Sequence, residues 1–200
     1  MKPLEKSGGF FIFWHIDMDP KKLRKQYMHL MPHLNKAMQH VQSQLADLPP
    51  HDFLLETNLK PYLSIKKKVL KDPLSDPATF PDLARGRLFY SKDYNPKEVL
   101  SLLKQVFGKA VKNSKKKDTN DCGLEYNGVT DVNLDIDGVQ FELQLMPLEY
   151  KDHQDFSHQI YDQLRNDQGK LTDVEKEFLK KTHNKLFKAL DVKSRAPNRD

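Results

Sequence analysis

The residues best suited to chemistry stand at the edges and in the middles of strand-like segments. Asp82 comes directly before ARGRLFY (84–90), and Glu142 and Gln144 alternate along VQFELQL (139–145). A period of two sends Glu142 and Gln144 to one face of a strand and Val139, Phe141, Leu143 and Leu145 to the other. A glutamate in mid-strand faces either water or a cleft. If the two strands are neighbours, Asp82 and Glu142 can share a Mg²⁺, an ion ordinarily held by carboxylates and substrate phosphates. Otherwise Asp82 caps a turn and Glu142 lies on a solvated face.

Arg85 and Arg87 alternate onto one face as well, where a guanidinium fork either clamps phosphate or makes surface ion pairs. KPYLSIKKKVLKDP (60–73) sets Ser64 beside Lys66, Lys67 and Lys68. Taken alone, such a run is the wet side of a helix. His51-Asp52 invites a metal-dependent phosphohydrolase reading, but no second pair is spaced to complete its ligand set. His15, His153, His158 and His183 are scattered. His29, His33 and His40 can share one side of a long helix, but they lack the acidic or cysteine companions of a zinc site. There is no Walker A sequence and no GxGxxG.

The bulk composition suits one domain of 200 residues with a sizeable core. Charged residues make up 30% and hydrophobic residues 38%, and the formal net charge of +5 leans toward an anionic partner. Cys122 is the only cysteine, which excludes a disulfide-stapled scaffold. The apolar run Phe10–Trp14 is too short to span a bilayer and lacks the context of a signal peptide. The expected compartment is the cytoplasm, of the producing cell or of a target cell if the protein is exported.

Several elements are expected to position these residues. GGFFIFWHI (8–16) reads as a short strand or docking segment after a loose arm. Pro20, with Asp17 or Asp19 near its N-cap, opens a long amphipathic helix. That helix carries Leu23, Tyr27, Leu30, Leu34, Met38, Val41 and Leu45 and has a bend-prone Pro32. A short element and a turn lead into the lysine run, DPLSDPATFPD (72–82) is a loop, and ARGRLFY is a strand. Asn95-Pro96 starts a helix through Phe107 with Val99, Leu102, Leu103 and Val106 on one side. KNSKKKDTNDCG (112–123) reads as a polar loop. LEYNGVTDVNLDI and VQFELQL, joined at Asp137-Gly138, give the strongest hairpin signal. A helix is expected over 152–165 and another over 172–190. The second is opened by a Thr172/Glu175 capping box, with Val174, Phe178, Phe187 and Leu190 as its apolar side. The sum is α+β, a small mixed sheet flanked by helices.

In order and spacing these features resemble the RelA/SpoT-like synthetases, over about residues 55–147. The family pattern Arg-x-Lys-x-x-x-Ser-Ile-x-x-Lys finds Lys60, Ser64, Ile65 and Lys68 in place, with Asn58 where arginine is expected. The family's metal-binding aspartate ahead of a strand, with an arginine five residues on, matches Asp82 and Arg87, with Arg85 at a usual glycine position. Of Gly-Tyr-x-Ser-x-His only Tyr126 is kept. Glu-x-Gln is matched by Glu142-Leu143-Gln144.

The resemblance implies a nucleotidyltransferase-like fold and transfer of pyrophosphate from ATP to a ribose 3′-hydroxyl of a nucleotide or RNA acceptor, tRNA included. By the same likeness Asp82 and Glu142 hold Mg²⁺. Lys60, Ser64, Lys67 and Lys68 take the donor phosphates with Arg85 and Arg87, and Tyr126 stacks on the acceptor base beside Gln144. Lys66, Lys67 or Arg85 can make good the charge missing at Asn58. No hydrolase half accompanies these motifs, so an active version is synthetase-only and a toxin candidate. The expected organisation is an arm over 1–19, one synthetase-like domain over 20–190 and a flexible tail over 191–200. Two alternatives stay open. One is a catalytically inactive nucleotide- or RNA-binding module of this fold. The other is a partner-interaction protein docking through its long N-terminal helix, where Met28, Met31 and Met38 offer an adaptable surface.

Overall fold

Alternation of apolar and polar residues along the strands produces a sheet with one buried face and one charged face. The computed structural model describes residues 19–71, 77–117, 119–120, 122–126, 128–167 and 169–193. Residues 1–18 of the expected arm and docking segment, 72–76 of the expected 72–82 loop and 194–200 of the expected 191–200 tail lie outside these residues.

Five strands run β1 (Phe53–Leu59), β2 (Ala84–Tyr90), β3 (Val111–Lys116), β4 (Thr130–Ile136) and β5 (Val139–Pro147), in the order β1-β2-β5-β4-β3. β2 and β5 are parallel, and every other neighbouring pair is antiparallel, so the sheet is mixed. The buried face carries Ala84, Leu88, Phe141, Leu143, Leu145, Val132 and Leu134, each 0% exposed. It packs under α1 (Pro20–Gln44) and α3 (Pro96–Phe107). At the far end of β2 and β5, Phe89 and Met146 cross to the opposite face. There they join Tyr150, Phe187 and Leu190 in a second core under α5 (Asp173–Lys193), against which α4 (Gln154–Arg165) packs. The expected α+β class, a small mixed sheet flanked by helices, is the one observed.

Local signals explain most boundaries. Asp19 caps α1 by accepting from the Lys21 backbone N–H at 2.9 Å, and Pro20 occupies its first turn. The helix continues through Pro32. Asn95 and Glu98 form a reciprocal capping box at α3. The β4–β5 turn has φ +53° at Asp137 and +83° at Gly138, the two positive values of a tight hairpin turn, and Asp135 accepts from the Gly138 N–H. Thr172 and Glu175 exchange backbone and side-chain bonds at the start of α5.

Three expectations are corrected. The stretch read as a loop over 112–123 contains β3, paired with β4. An edge strand with its side chains in water needs no apolar alternation, and lysines there discourage pairing with other chains. The first hairpin strand starts at Thr130 rather than Leu124. On α5, Val174 and Phe178 are 79% and 67% exposed. Phe187 and Leu190 are buried as expected and His183 joins them, because α5 meets the second core only through its C-terminal half.

Gly86 sits between the two arginines of β2 because a Cβ there would lie 3.2 Å from the Glu56 carbonyl oxygen and from side-chain atoms of Leu143 and Phe141. Gly86→Ala is therefore expected to destabilise the protein by about 1–3 kcal/mol through overpacking, read as a lower urea midpoint at unchanged m-value.

Candidate functional site

The charged face of the sheet is organised in two rows by strand register. Asn58, Arg85, Glu142, Asn133 and Asn113 are successive cross-strand partners, and Glu56, Arg87, Gln144, Asp131 and Lys115 form the adjacent row. The parallel pairing of β2 with β5 thus sets Arg85 beside Glu142 and Arg87 beside Gln144. These residues floor a cleft of about 330 Å³, with α4 as its opposite wall. A second cleft of about 620 Å³ adjoins it along α2 (Tyr62–Lys71) and is lined by Ser64, Lys67 and Lys68. Both volumes lie in the range of small-molecule sites.

Asp82 stands at the junction. The Lys60 N–H donates to the Leu83 carbonyl at 2.8 Å and ties the end of β1 to the approach of β2. Ile65 and Val69, both buried, fix α2 so that its lysines face the cleft. The Lys60 ammonium pairs with one Asp82 oxygen, and Lys68 lies 3.2 Å from the other. Lys68 also rests over the Phe80 ring, 4.4 Å from its centroid. Burial pushes the Asp82 carboxyl up, but Lys60 and Lys68 outweigh it and hold the group below the usual carboxylate range.

Glu142 is shifted the other way. Burial, then the charges of Asp131 and Asp82, raise its carboxyl above the ordinary glutamate value, against the pull of Lys117 and Arg85. Gln144 bridges the two carboxylates of its own face, donating to Asp131 at 3.0 Å and to Glu142 at 3.2 Å. Among the described residues no group of three or more His, Cys, Asp or Glu side chains forms a metal cage. Asp82, held ionised by its lysines, and Glu142, whose proton affinity the Asp82 charge raises across the cleft, do fit a Mg²⁺ that takes its remaining ligands from phosphate and water.

The cleft arginines are held by neutral groups. Arg85 Nε donates to Asn58 Oδ1 at 2.8 Å. Arg87 Nη1 donates to Gln154 Oε1 at 2.9 Å, and Nη2 donates to His158 Nε2 at 2.7 Å. Among the described residues neither guanidinium is in an ion pair. The forks are therefore oriented while their charge stays available to an anion.

Of the residues singled out from sequence, Lys60, Asp82, Arg85, Arg87, Glu142 and Gln144 meet in the first cleft. Ser64, Lys67 and Lys68 line the second. Tyr126 lines neither. Its ring lies edge-on to His183 and Phe187 in the second core, Lys117 sits 4.9 Å over it, and Asn120 donates to its hydroxyl at 3.3 Å. It thus props Lys117 and Asn120, which do reach the cleft.

Sequence reasoning missed the wall contributed by α4. Gln154, His158, Tyr161 and Arg165 recur at offsets of four, three and four, a polar helical stripe flanked by buried Ser157 and Ile160. That spacing was a usable signal, obscured because the apolar side of α4 is short. Lys117, in the run read as a loop, was missed for the reason given for β3.

His158 is held below the usual imidazole value by burial first and then by Arg87 and Arg85, against Asp162 and Asp155. A depressed folded-state value means that the unfolded chain binds more protons below about pH 6.5, so stability falls as the solution is acidified. His158→Gln keeps an acceptor for Arg87 and cannot be protonated. Its urea midpoint is expected to fall less than that of the wild type between pH 7.5 and 5.5.

No protein-family model matches this chain, and no curated protein matches it. Solved structures do. The small alarmone synthetase 1 from Bacillus subtilis bound to its product pppGpp is 16% identical with a TM-score of 0.60, covering 84% of this chain and 94% of that one. The same synthetase bound to AMPCPP is 15% identical with a TM-score of 0.55, over 86% and 94% of the two chains. A GTP pyrophosphokinase family protein from Streptococcus pneumoniae is 15% identical with a TM-score of 0.52, over 86% and 89%. At these identities the likeness is one of fold, and the fold is that of the small alarmone synthetases.

Proposed function

We propose that the protein is a pyrophosphokinase-like transferase that moves the β,γ-diphosphate of ATP to a ribose 3′-hydroxyl of a nucleotide or RNA acceptor, with Mg²⁺ as its metal and residues 20–190 as the catalytic unit. One observation carries this reading: arginines fixed by neutral partners stand in the same cleft as the carboxylates Asp82 and Glu142. A cleft that orients cations without neutralising them suits a polyphosphate. The likeness of fold to a synthetase bound to AMPCPP, and to the same synthetase bound to pppGpp, supports nucleotides as the ligands.

The chain's own residues divide the work as follows. Lys67, Lys68 and Ser64 grip the donor phosphates from α2, and Lys60 meets them at the junction. Arg85 and Arg87 neutralise charge that grows on the transferred group. Asp82 and Glu142 would hold Mg²⁺, which supplies charge neutralisation on the phosphates when bound. The acceptor oxygen forms a bond to the β-phosphorus as the bond from that phosphorus to the α,β-bridging oxygen breaks and AMP leaves. Glu142 accepts the hydroxyl proton, directly or through water. Its raised proton affinity makes the ionised form a stronger base.

A second reading, an inactive nucleotide- or RNA-binding module, draws on the packing of Tyr126 into the second core, away from the cleft where a base would stack.

Labelled ATP, Mg²⁺ and a panel of nucleotides with total RNA separate the two. Wild-type protein is expected to move label from the γ-phosphate position to an acceptor. Asp82→Asn and Glu142→Gln are expected to lower transfer by about 10³-fold with an unchanged circular dichroism spectrum. Full activity in either variant overturns the assignment, and binding without any transfer by the wild type favours the inactive module. The rate is also expected to fall as pH drops through the raised Glu142 value, since protonation removes the base.

A further inference from the structure

The two clefts share Lys60, Asp82, Arg85 and Arg165. The first three belong to β2 or to the segments beside it, on the floor. Arg165 is the last residue of α4 and comes from the opposite wall. It is the one cation of the α4 stripe that reaches both spaces.

Its setting repeats the pattern of the floor arginines. Arg165 Nη1 donates to the Tyr161 hydroxyl at 2.6 Å, and the guanidinium carbon lies 5.3 Å from the Tyr161 ring centroid. Both residues are one helical turn apart, so the ring props the fork along the cleft wall. Among the described residues Arg165 is in no ion pair, although Asp162 lines the same cleft three positions before it. α4 itself is pinned from behind. Ile160 is buried, and Ser157 and His183 lie 2.9 Å apart in a buried hydrogen bond to α5. The wall that carries Arg165 is therefore fixed at its middle.

We infer that Arg165, propped by Tyr161, contacts phosphate from the wall and joins the two clefts into one channel for a linear chain of three or more phosphates. Lys67 and Lys68 line only the second cleft and Arg87 and Lys117 only the first, so an anion that meets both sets as well as Arg85 and Arg165 at the junction is a chain longer than a single phosphate. This inference rests on the phosphate-binding part of the reading above and is independent of the transfer step.

Calorimetric titration with inorganic tripolyphosphate and with inorganic phosphate, both without divalent cation, tests it. Arg165 is exposed, so its substitution leaves the core untouched. Arg165→Gln is expected to weaken tripolyphosphate binding at least about tenfold and phosphate binding less than about threefold. Arg165→Lys recovers only part of the loss, because an ammonium has no fork, and Tyr161→Phe gives a smaller loss of the same kind. Wild-type affinity for tripolyphosphate in Arg165→Gln overturns the inference, as does an equal loss for the two anions. So does a wild-type protein that binds no tripolyphosphate. Arg165-dependent binding in a wild type that moves no label from ATP leaves the channel standing and removes the transferase. Transfer by the wild type with unchanged tripolyphosphate binding in Arg165→Gln removes the channel alone.

Discussion

Everything in the cleft depends on the parallel pairing of β2 with β5. The two strands are separated in sequence by α3, β3 and β4, and only their adjacency brings Arg85 and Arg87 next to Glu142 and Gln144. Because side chains alternate with a period of two, the same register that buries Phe141, Leu143 and Leu145 points the charged set the other way. A slip of one residue would carry arginines into the core and leucines into the cleft. Core packing under α1 and α3 therefore enforces the geometry of the polar face. Gly86 belongs to the same arrangement, since it allows β2 to lie close against Phe141 and Leu143 between its two arginines.

The electrostatics follow from how the cations are held. Lys60 and Lys68 spend their charge on Asp82, while the arginines rest on Asn58, Gln154, His158 and Tyr161. Neutral acceptors orient a guanidinium without cancelling it, so like charges remain close together. Burial, then the neighbouring Arg85, depress the Arg87 proton affinity even against nearby acids. Such an arrangement is tense when empty and relaxed by an anion, and any anion that relieves it adds its binding free energy to the stability of the fold.

Much of this was legible in sequence, and the legible parts share a cause. VQFELQL and ARGRLFY are interior strands with one face in the core, so their alternation is strong and reveals which residues face the cleft. Asp19, Asn95, Thr172 and Asp137-Gly138 announce themselves because caps and tight turns are local chemistry. β3 gave no such signal, being an edge strand with its lysines in water. The role of α4 was hidden for a different reason. Its stripe of Gln154, His158, Tyr161 and Arg165 is polar, and polar helical faces usually meet solvent; only tertiary structure brings this one over the sheet. Tyr126 shows the converse limit, since no local pattern announces that an isolated tyrosine will pack against His183 and Phe187.

The Asn58–Arg85 contact bears on how such proteins are compared. Asn58 occupies the motif position where an arginine is expected, and Arg85 occupies one where glycine is usual, so a letter-by-letter reading scores two departures. The two residues are direct partners across β1 and β2, a strand spacing of about 4.8 Å apart. In space they amount to one cation delivered from the adjacent strand, with the asparagine as its rest. Charge in a cleft has a location as well as an address in the chain, and Arg85 brings to the neighbourhood of Asn58 a cation that the letter at position 58 does not show.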